Sequence, residues 1–405
     1  MMETAVQHPL HDALHEMPFK SDNALQALHE FSIPTTRDEA WKYTRVARLL
    51  QQKWKHITPV AGEKIDREIP ANWSTYTIDF VHGVCQNPSG ALEDGVEMRH
   101  DDAPNNTAPN HYFEAVAATA HTSSIVIEVG AGVCASQPIL IRHWIQHDGN
   151  FALPRIELKV RKGARVQVIE QFMSDETSRT LTLRTMHASV EQGAQAEWMK
   201  FQDESEHTFL MNHENVDVHR DAHFAMHTIT WRSGWVRNQL HIQLHETGAF
   251  AKLNGIFLPR NNQFVDNHTR VDHIAPHGES SELYKGILMD RGIGVFNGKV
   301  HVHPQAQKTN AFQKNANMLI HPEAQMNTKP ELEIYADDVK CSHGSTTGRM
   351  DTEALFYLKS RGIGEMQAQK LLSRAFIGEV IDQLPNDQVR DWAYQTMVHQ
   401  ELIFE

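Results

Sequence analysis

Alternation of apolar and polar residues dominates the middle of the chain, from about residue 123 to residue 335. Segments such as SSIVIEV, RIELKVRKGARVQVIEQF and QLHIQLHETGAFAKLNGIF place β-branched residues at every second position, which predicts strands rather than helices. Short turns that end on an alanine separate the strands, and no long helical pattern comes between them. A chain with this pattern must fold mainly as β-sheet.

The turn alanines set a repeat length. They follow one another at steps of 30, 28, 27, 57 and 18 residues, and 57 is about twice the shorter step; they are Ala164, Ala194, Ala222, Ala249, Ala306 and Ala324. A nearly constant repeat of strands without helices is typical of a coiling β-solenoid. A two-sheet sandwich is the competing interpretation, but its turns usually come every ~10 residues over a shorter domain. We therefore predict a solenoid, whose open ends must be covered or paired with another chain.

Both flanks of the solenoid are predicted to be helical. Apolar residues recur at helical steps in the first 55 residues, and Thr36 with Glu39 resembles a capping box that opens a helix over TRDEAWKYTRVARLLQQ. The Pro-, Gly- and Asn-rich segment 87–110 predicts a loop and a domain boundary. The expected domains are a helical domain with its linker over 1–115, the β-solenoid over 116–340 and a helical domain over 341–405.

The C-terminal helices carry clear end signals. Asp351 is predicted to cap the helix TEALFYLKSRG, and Gly362 to end it. A second helix follows over EMQAQKLLSRAFIGEVIDQL, and a last one, after Pro385, over DQVRDWAYQTMVHQELIF. In the second helix, the apolar residues Met366, Leu371 and Val380 do not fit one narrow stripe. We therefore expect this helix to pack both on its own domain and on a partner.

Composition excludes several classes of protein. The chain has 38 Lys and Arg against 51 Asp and Glu, a formal charge of -13, so we expect no nucleic-acid partner. No run of about 18 apolar residues occurs, and the first residues lack the pattern of a secretory signal, so no membrane association is expected. Its three cysteines are too few and too scattered for a disulfide framework, which predicts a reducing, cytoplasmic location.

The segment YADDVKCSHGSTTGRMD, from Tyr335 to Asp351, is the strongest candidate for a functional site. Cys341 and His343 fall on one face of a strand, but no local third group would orient the histidine as a base, so nucleophilic catalysis is not favoured. The pair could supply two metal ligands, with the others from elsewhere or from a second chain. A boundary turn with no chemistry fits the same spacing. Separately, His301 and His303 lie on one strand face, where a zinc site competes with solvated strand histidines.

Several long segments, taken together, resemble the SufB/SufD family of the SUF iron–sulfur cluster assembly system. The resemblance is dense from about residue 258 to residue 381, in LPRNNQFVDNHTRVDHIAPHGESSELYKGIL, FNGKVHVHPQAQKTNAFQKNANMLI and KPELEIYADDVKCSHGSTTGRMDTEALFYLKSRGI. PTTRDEAWKYT near the N-terminus is similar to the first helical motif of the family. The chain length and the histidine two places after the motif cysteine resemble the SufD branch.

The resemblance implies a right-handed parallel β-helix between helical N- and C-terminal domains, in a scaffold subunit without catalytic activity. It implies pairing with a SufB-like paralogue through the β-helix ends, and it allows a homodimer through the same edge when the partner is missing. It places Cys341 and His343 at that interface, where a transient iron–sulfur cluster is built and shared, His343 being the better ligand candidate. A SufC-like ABC ATPase would bind the C-terminal helices at residues that include Leu371, Leu372, Phe376 and Glu379.

Two other classes of function compete with the scaffold. A β-helix can be a polysaccharide-processing enzyme, but the expected cleft of carboxylates, bases or aromatic residues on one strand face is not concentrated anywhere in this sequence. It can also be a standalone metal-binding protein, which metal analysis of the isolated chain would reveal.

Overall fold

The computed structural model describes residues 9–15, 17, 19–20, 28–60, 63–65, 69–70, 73–86, 92–101 and 111–399. The described strands are β1 Phe19–Lys20, β2 Tyr76–Val81, β3 Val84–Cys85, β4 Val96–His100, β5 Ala120–His121, β6 Ser123–Val129, β7 Ile139–Ile145, β8 Asn150–Ala152, β9 Pro154–Val160, β10 Arg165–Ser174, β11 Thr180–Val190, β12 Gln195–Asp203, β13 Phe209–Val218, β14 His223–Arg232, β15 Trp235–Leu244, β16 Phe250–Phe257, β17 Phe264–His273, β18 Glu279–Leu288, β19 Ile293–Val302, β20 Asn310–Leu319, β21 Gln325–Ile334 and β22 Lys340–Arg349. The described α-helices are α1 Pro9–His15, α2 Ala47–Leu50, α3 Tyr112–Thr119, α4 Thr352–Ser360, α5 Glu365–Ile381 and α6 Asp387–His399.

Most strands belong to two sheets between which the chain alternates. One sheet contains β3, β2, β7 and the even-numbered strands from β10 to β22, and the other contains β4, β6, β9 and the odd-numbered strands from β11 to β21, with β8 beside β11. Pairing from β6 onward is parallel, and partners lie about one repeat apart: Val166 pairs with Ala196, and Ala196 with Phe224. Each coil gives one strand to each sheet. The predicted parallel β-solenoid is confirmed, and the antiparallel sandwich is excluded.

The turn alanines lie at the corners of the coils with their side chains inside. All six are buried, at 5% exposure or less. Ala249 and Ala306 stand two coils apart, and the corner between them is turned by His277 in a left-handed conformation (φ 58°). Ala324 precedes a strand of the other sheet, which explains its step of 18 residues. A small side chain is needed at these corners because the two sheets meet there.

A group of buried charges interrupts the apolar interior of the middle coils. Glu170, Arg184, Lys200 and Glu214 are at most 1% exposed, and two acids balance two bases. The Lys200 ammonium donates to both carboxylate oxygens of Glu214 at 2.7 and 2.8 Å, and Arg184 bridges both glutamates. Burial opposes ionisation of Glu170, but Arg184 and His143 outweigh it and lower its pKa to about 2.

The N-terminal segment is less helical than the sequence predicts. In the first 55 residues, the described part contains α1, β1, α2 and two short 3-10 turns, Leu28–Glu30 and Glu39–Trp41. The predicted continuous helix over TRDEAWKYTRVARLLQQ is wrong, because only α2 near its end is α-helical. Asp38, rather than Thr36, precedes the second turn, with its carboxylate accepting from Thr35 N at 2.6 Å. The apolar spacing has a tertiary origin, because Trp41, Leu49 and Trp54 pack on the solenoid around Phe209.

The solenoid extends beyond both predicted domain boundaries. Within 1–115, β2 and β4 already belong to the two sheets, and after residue 340 the whole of β22 continues the even-numbered sheet. The predicted boundary loop 87–110 lies outside the described residues, except for 92–101, which contain β4. A strand joins a sheet through partners distant in sequence, so local composition misplaces such boundaries.

The C-terminal helices follow the predicted end signals. The carboxylate of Asp351 accepts from the backbone N–H groups of Glu353 and Ala354, which confirms the cap of α4. Gly362 has a left-handed conformation (φ 84°), and Ile363 N donates back to Leu358 O at 3.2 Å, which ends the helix as predicted. The last predicted helix is α6 as far as residue 399, and its remainder lies outside the described residues. None of the described helices is long and apolar enough to cross a membrane.

Candidate functional site

The solenoid stops at β21 and β22, which we call the open end. Within the described part of the chain, each of these ten-residue strands has a sheet neighbour on one side only. Lys340 N donates to Thr309 O at 2.8 Å on the covered side of β22. Because backbone N–H groups alternate in direction along a strand, those of Cys341, His343, Ser345 and Thr347 point toward the uncovered side. The open end therefore presents a row of backbone donors and acceptors.

Pro330 shows how the sequence fits β21 to an edge position. Tyr335 N donates to Val302 O at 2.9 Å, so the odd-numbered residues of β21 point their N–H groups toward β19 and the even-numbered ones point away. Pro330, paired with Gly298, falls on the outward-pointing set. Proline has no N–H to donate, so it is tolerated here, where the neighbouring strand requires no hydrogen bond.

Cys341 and His343 lie on the inward face of β22, in the last layer of the interior. Cys341 pairs with Ala311 in the sheet and packs beside Val300 and Val302, half-buried. His343 pairs with Gln313, which is buried, but His343 itself is exposed because no described residue covers the last coil. The predicted pair is thus confirmed as neighbours on one face of a strand. A second chain placed on the open end would bury both side chains.

The Cys341 thiol is not activated in the isolated chain. Burial raises the pKa of this thiol above its ordinary value, and a backbone contact with Ala311 opposes the shift. A thiol held protonated is a poor nucleophile, because only the thiolate attacks. Cys341 can ligate a metal once the metal displaces its proton, as cluster binding requires.

Polar side chains close the interior behind these residues. Thr328 of β21 and Ser345 of β22 are hydrogen-bonded across the lumen at 2.9 Å. The amide of Gln313 donates to Glu282 at 2.7 Å, and its carbonyl oxygen has no partner among the described residues. Burial raises the pKa of Glu282 to about 7, while contacts with Thr269 and Gln313 lower it. The open end is therefore polar at its centre and apolar at its rim, where Ile334 and Tyr335 are exposed.

The four residues predicted to bind an ATPase do not form one exposed surface. Phe376 and Glu379 hold α5 on the solenoid: Lys285 of β18 donates to Phe376 O at 2.6 Å, lies over its ring and pairs with the Glu379 carboxylate. The hydrogen bond from Lys285 lowers the pKa of Glu379. Leu372 is half-buried, and Leu371 is exposed.

An apolar surface without a partner among the described residues spans the first two C-terminal helices. Its exposed members are Phe356 and Tyr357 of α4 and Met366 and Leu371 of α5, with exposures from 40% to 73%, and we call it the α4–α5 surface. The other side of α5 buries Ile377, Val380 and Ile381 against the solenoid, and the packing of its exposed side on a partner stays a prediction. Sequence reasoning missed Phe356 and Tyr357, although the apolar stretch ALFYL in a capped helix could have indicated them.

Comparison with known proteins identifies the family to which this chain belongs. The family model described as "SUF system FeS cluster assembly, SufBD core domain" matches residues 143–376, more than half of the chain. The chain belongs to the SufBD family. The matched range includes both strands of the open end, Cys341, His343 and most of α5. SufBD membership makes this chain a component of the SUF system of iron–sulfur cluster assembly.

Three relatives illustrate how far the SufBD similarity extends. The iron–sulfur cluster assembly protein SufD of Escherichia coli (strain K12) is 31% identical over 378 residues, which cover 90% of this chain and 89% of that protein. A SufBD family protein of Synechocystis is 26% identical over 90% of this chain and 87% of its own length. A SufBD family protein of Mycobacterium leprae is 28% identical over 93% and 92%. The similarity covers the flanks as well as the solenoid.

Proposed function

We propose that this chain is a scaffold subunit without catalytic activity, which pairs with a SufB-like paralogue through the open end and binds a SufC-like ABC ATPase through the α4–α5 surface. The iron–sulfur cluster is the cargo of this assembly, built at the shared interface and passed on. The observation that carries the proposal is the open end itself, where two ten-residue strands expose unpaired backbone over an uncovered interior.

A partner strand beside β22 would satisfy its backbone groups in the way that one coil satisfies the next, whereas Pro330 leaves β21 one donor short. Long strands with free edges are a liability in a protein that works alone, and natural proteins usually shorten, charge or cover them. Here the rim keeps exposed apolar side chains, Ile334 and Tyr335, as a surface for a permanent partner would. The edge of a second copy of the chain would pair with β22 less specifically, which would allow a homodimer when the paralogue is missing.

His343 is the proposed ligand from this subunit. It is exposed, it lies in the last interior layer, and the half-buried Cys341 stands two residues away on the same face. Imidazole is an accepted ligand of iron–sulfur clusters. One or two ligands cannot hold a cluster alone, so the remaining ones must come from the partner. Such a divided ligand set allows the cluster to leave when the interface opens.

The ATPase would act on the interface through α5. This helix is fixed to β18 by the Lys285 contacts with Phe376 and Glu379, and β18 lies two strands from β22 in the same sheet. If the ATPase moves the α4–α5 surface, α5 should therefore move the strands of the solenoid that lie close to the open end. In this scheme nucleotide-driven dimerisation of the ATPase pulls α5 and opens the interface to iron and sulfide.

Replacement of His343 tests the ligand assignment. In His343→Ala, we expect cluster assembly in the anaerobically purified complex to fall at least ~10-fold. Loss of a residue that only supports a metal ligand already costs about 10-fold or more, and loss of the ligand itself should cost no less. Recovery of the paralogue and the ATPase should stay normal, because the backbone edge is unchanged. His321→Ala, another exposed histidine at a turn beside β21, is the matched control and should assemble clusters normally.

Three outcomes separate the parts of the proposal. Normal cluster yield in His343→Ala would refute the ligand role and leave the scaffold role standing. Loss of the partners together with the clusters would mean that His343 supports the interface instead. Purification of the unmodified chain without a second β-helix protein and without an ATPase would refute the scaffold role.

A further inference from the structure

A second group of potential ligands lies far from the open end, where α3 meets the solenoid. Nitrogen atoms of His111 and His213 and a carboxylate oxygen of Glu114 lie within 4.8 Å of one another. His111 and Glu114 belong to the start of α3, and His213 belongs to β13. We call these three residues the α3–β13 cluster. It joins segments that are about 100 residues apart in sequence.

His213 is the unusual member of the α3–β13 cluster. It is 3% exposed, and neither of its ring nitrogens has a hydrogen-bond partner among the described residues. A buried imidazole with two unsatisfied nitrogens is costly, and a native structure usually satisfies such a group with water or an ion.

The Nδ1 atom of His111 is also buried without a hydrogen-bond partner among the described residues. The Gln239 amide donates to His111 Nε2 at 3.0 Å, so this nitrogen presents a lone pair. The Glu114 carboxylate oxygen lies only 3.3 Å from the same nitrogen. The Gln239 amide also donates to Glu114 Oε1 at 3.4 Å, so it bridges these two atoms and a bound ion would take its place. Neighbouring ligand atoms around tetrahedral zinc are ~3.3 Å apart, given metal–ligand distances of about 2.0–2.1 Å.

We propose that His111, Glu114 and His213 form a binding site for a divalent transition-metal ion of the zinc type, with water in the fourth position. Two imidazoles and one carboxylate are a common zinc ligand set. The nearby cation Arg237 does not oppose binding strongly, because the Asp266 carboxylate accepts from it at 2.5 Å. The ion would fasten α3 to the solenoid below Trp41, which packs edge-on against His111 at 5.8 Å.

The ion would have a structural role rather than a role in cluster assembly. The α3–β13 cluster lies beside β13, whereas the open end is formed by β21 and β22. β21 is four strands further along the sheet of β13, and β22 is at the end of the other sheet. A bound metal would stabilise the folded state by mass action and would hold the N-terminal segment in place. The proposal therefore does not depend on the function of the open end.

The test is zinc binding by the full chain after removal of metal with a chelator. Equilibrium dialysis against Zn²⁺ with elemental analysis should give about one tightly held equivalent, and cobalt substitution should give the visible absorption of a tetrahedral ion. Near 100-fold excess over the dissociation constant, Zn²⁺ should raise the Tm by about 3 °C. His213→Ala and Glu114→Gln should each weaken binding at least ~10-fold and abolish the shift in Tm.

His301→Ala is the matched control. His301 belongs to another three-residue group, with Asp272 and His303, in which Asp272 is already bound to Arg270. This variant should bind Zn²⁺ like the unmodified chain. If His213→Ala fails to fold, Glu114→Gln decides the question, because its side chain is partly exposed and keeps its size. Absence of a tight equivalent, or its loss in His301→Ala with retention in Glu114→Gln, would overturn the proposal.

Discussion

Thr347 offers a direct test of edge pairing at the open end. Its backbone N–H is on the uncovered side of β22, since Lys340 N points to the covered side and the direction alternates along the strand. Thr347→Pro removes this donor and places the proline ring where a partner strand would lie. The ladder between β20 and β22 keeps all of its own hydrogen bonds.

The expected effect on pairing is large and the effect on the subunit is small. Loss of this N–H leaves an acceptor of the partner strand unsatisfied, which costs about 1–3 kcal/mol, so the dissociation constant for the paralogue should rise at least ~10-fold. The isolated chain loses only the hydrogen bond from the Asn317 amide to Thr347 Oγ1, at 3.3 Å, which contributes about 1 kcal/mol. Thr347→Ala, which removes the same side-chain acceptor, separates this loss from the effect of the ring.

The adjacent residue provides the opposite control. Thr346 points its N–H toward β20, so Thr346→Pro should destabilise the isolated chain by about 1–3 kcal/mol in urea unfolding, whereas Thr347→Pro should not. Binding to the immobilised paralogue, measured by biolayer interferometry, gives the second readout. Equal binding of Thr347→Pro and the unmodified chain would refute strand pairing at this edge. Equal destabilisation by Thr346→Pro and Thr347→Pro would refute the alternating direction of the N–H groups along β22.

Two further predictions concern the α4–α5 surface and the buried charges. Leu371→Asp should weaken ATPase binding at least ~10-fold without changing stability, because Leu371 is 40% exposed, whereas Gln388→Asp on α6 should have no effect in the same pull-down titration. Lys200→Met should lower the free energy of unfolding by about 3–5 kcal/mol, because it leaves two buried carboxylates, Glu170 and Glu214, with one buried base, Arg184. Adding Glu214→Gln restores balance between the remaining charges, so a double variant less stable than Lys200→Met would contradict this account.

Local rules were sufficient for the parts of the fold whose determinants are close in sequence. The alternation and the turn alanines predicted a solenoid because each strand and each corner is specified within one repeat. Asp351 and Gly362 predicted both ends of α4 because a helix cap is made by backbone groups two to five residues away. The same-face arrangement of Cys341 and His343 follows from the strand period alone.

Long-range packing decided what the sequence patterns misplaced. The apolar steps around Trp41 predicted a helix, but that spacing serves contacts with strands about 170 residues away, and tertiary contacts outweigh a weak helical preference. From the sequence, Phe376 and Leu371 were equally good candidates for contact with a partner. Only the position of Lys285 on β18 shows that one residue is engaged and the other exposed.

The sequence by itself determined that this chain coils into strands, where its last helices begin and end, and that a cysteine and a histidine share a strand face. It determined these features because they depend on neighbours within a few residues or one repeat. Only the tertiary structure decided which N–H groups of β22 are free and that His213 meets His111 and Glu114. Those facts depend on which strands are neighbours, and the packing of successive coils on one another determines this.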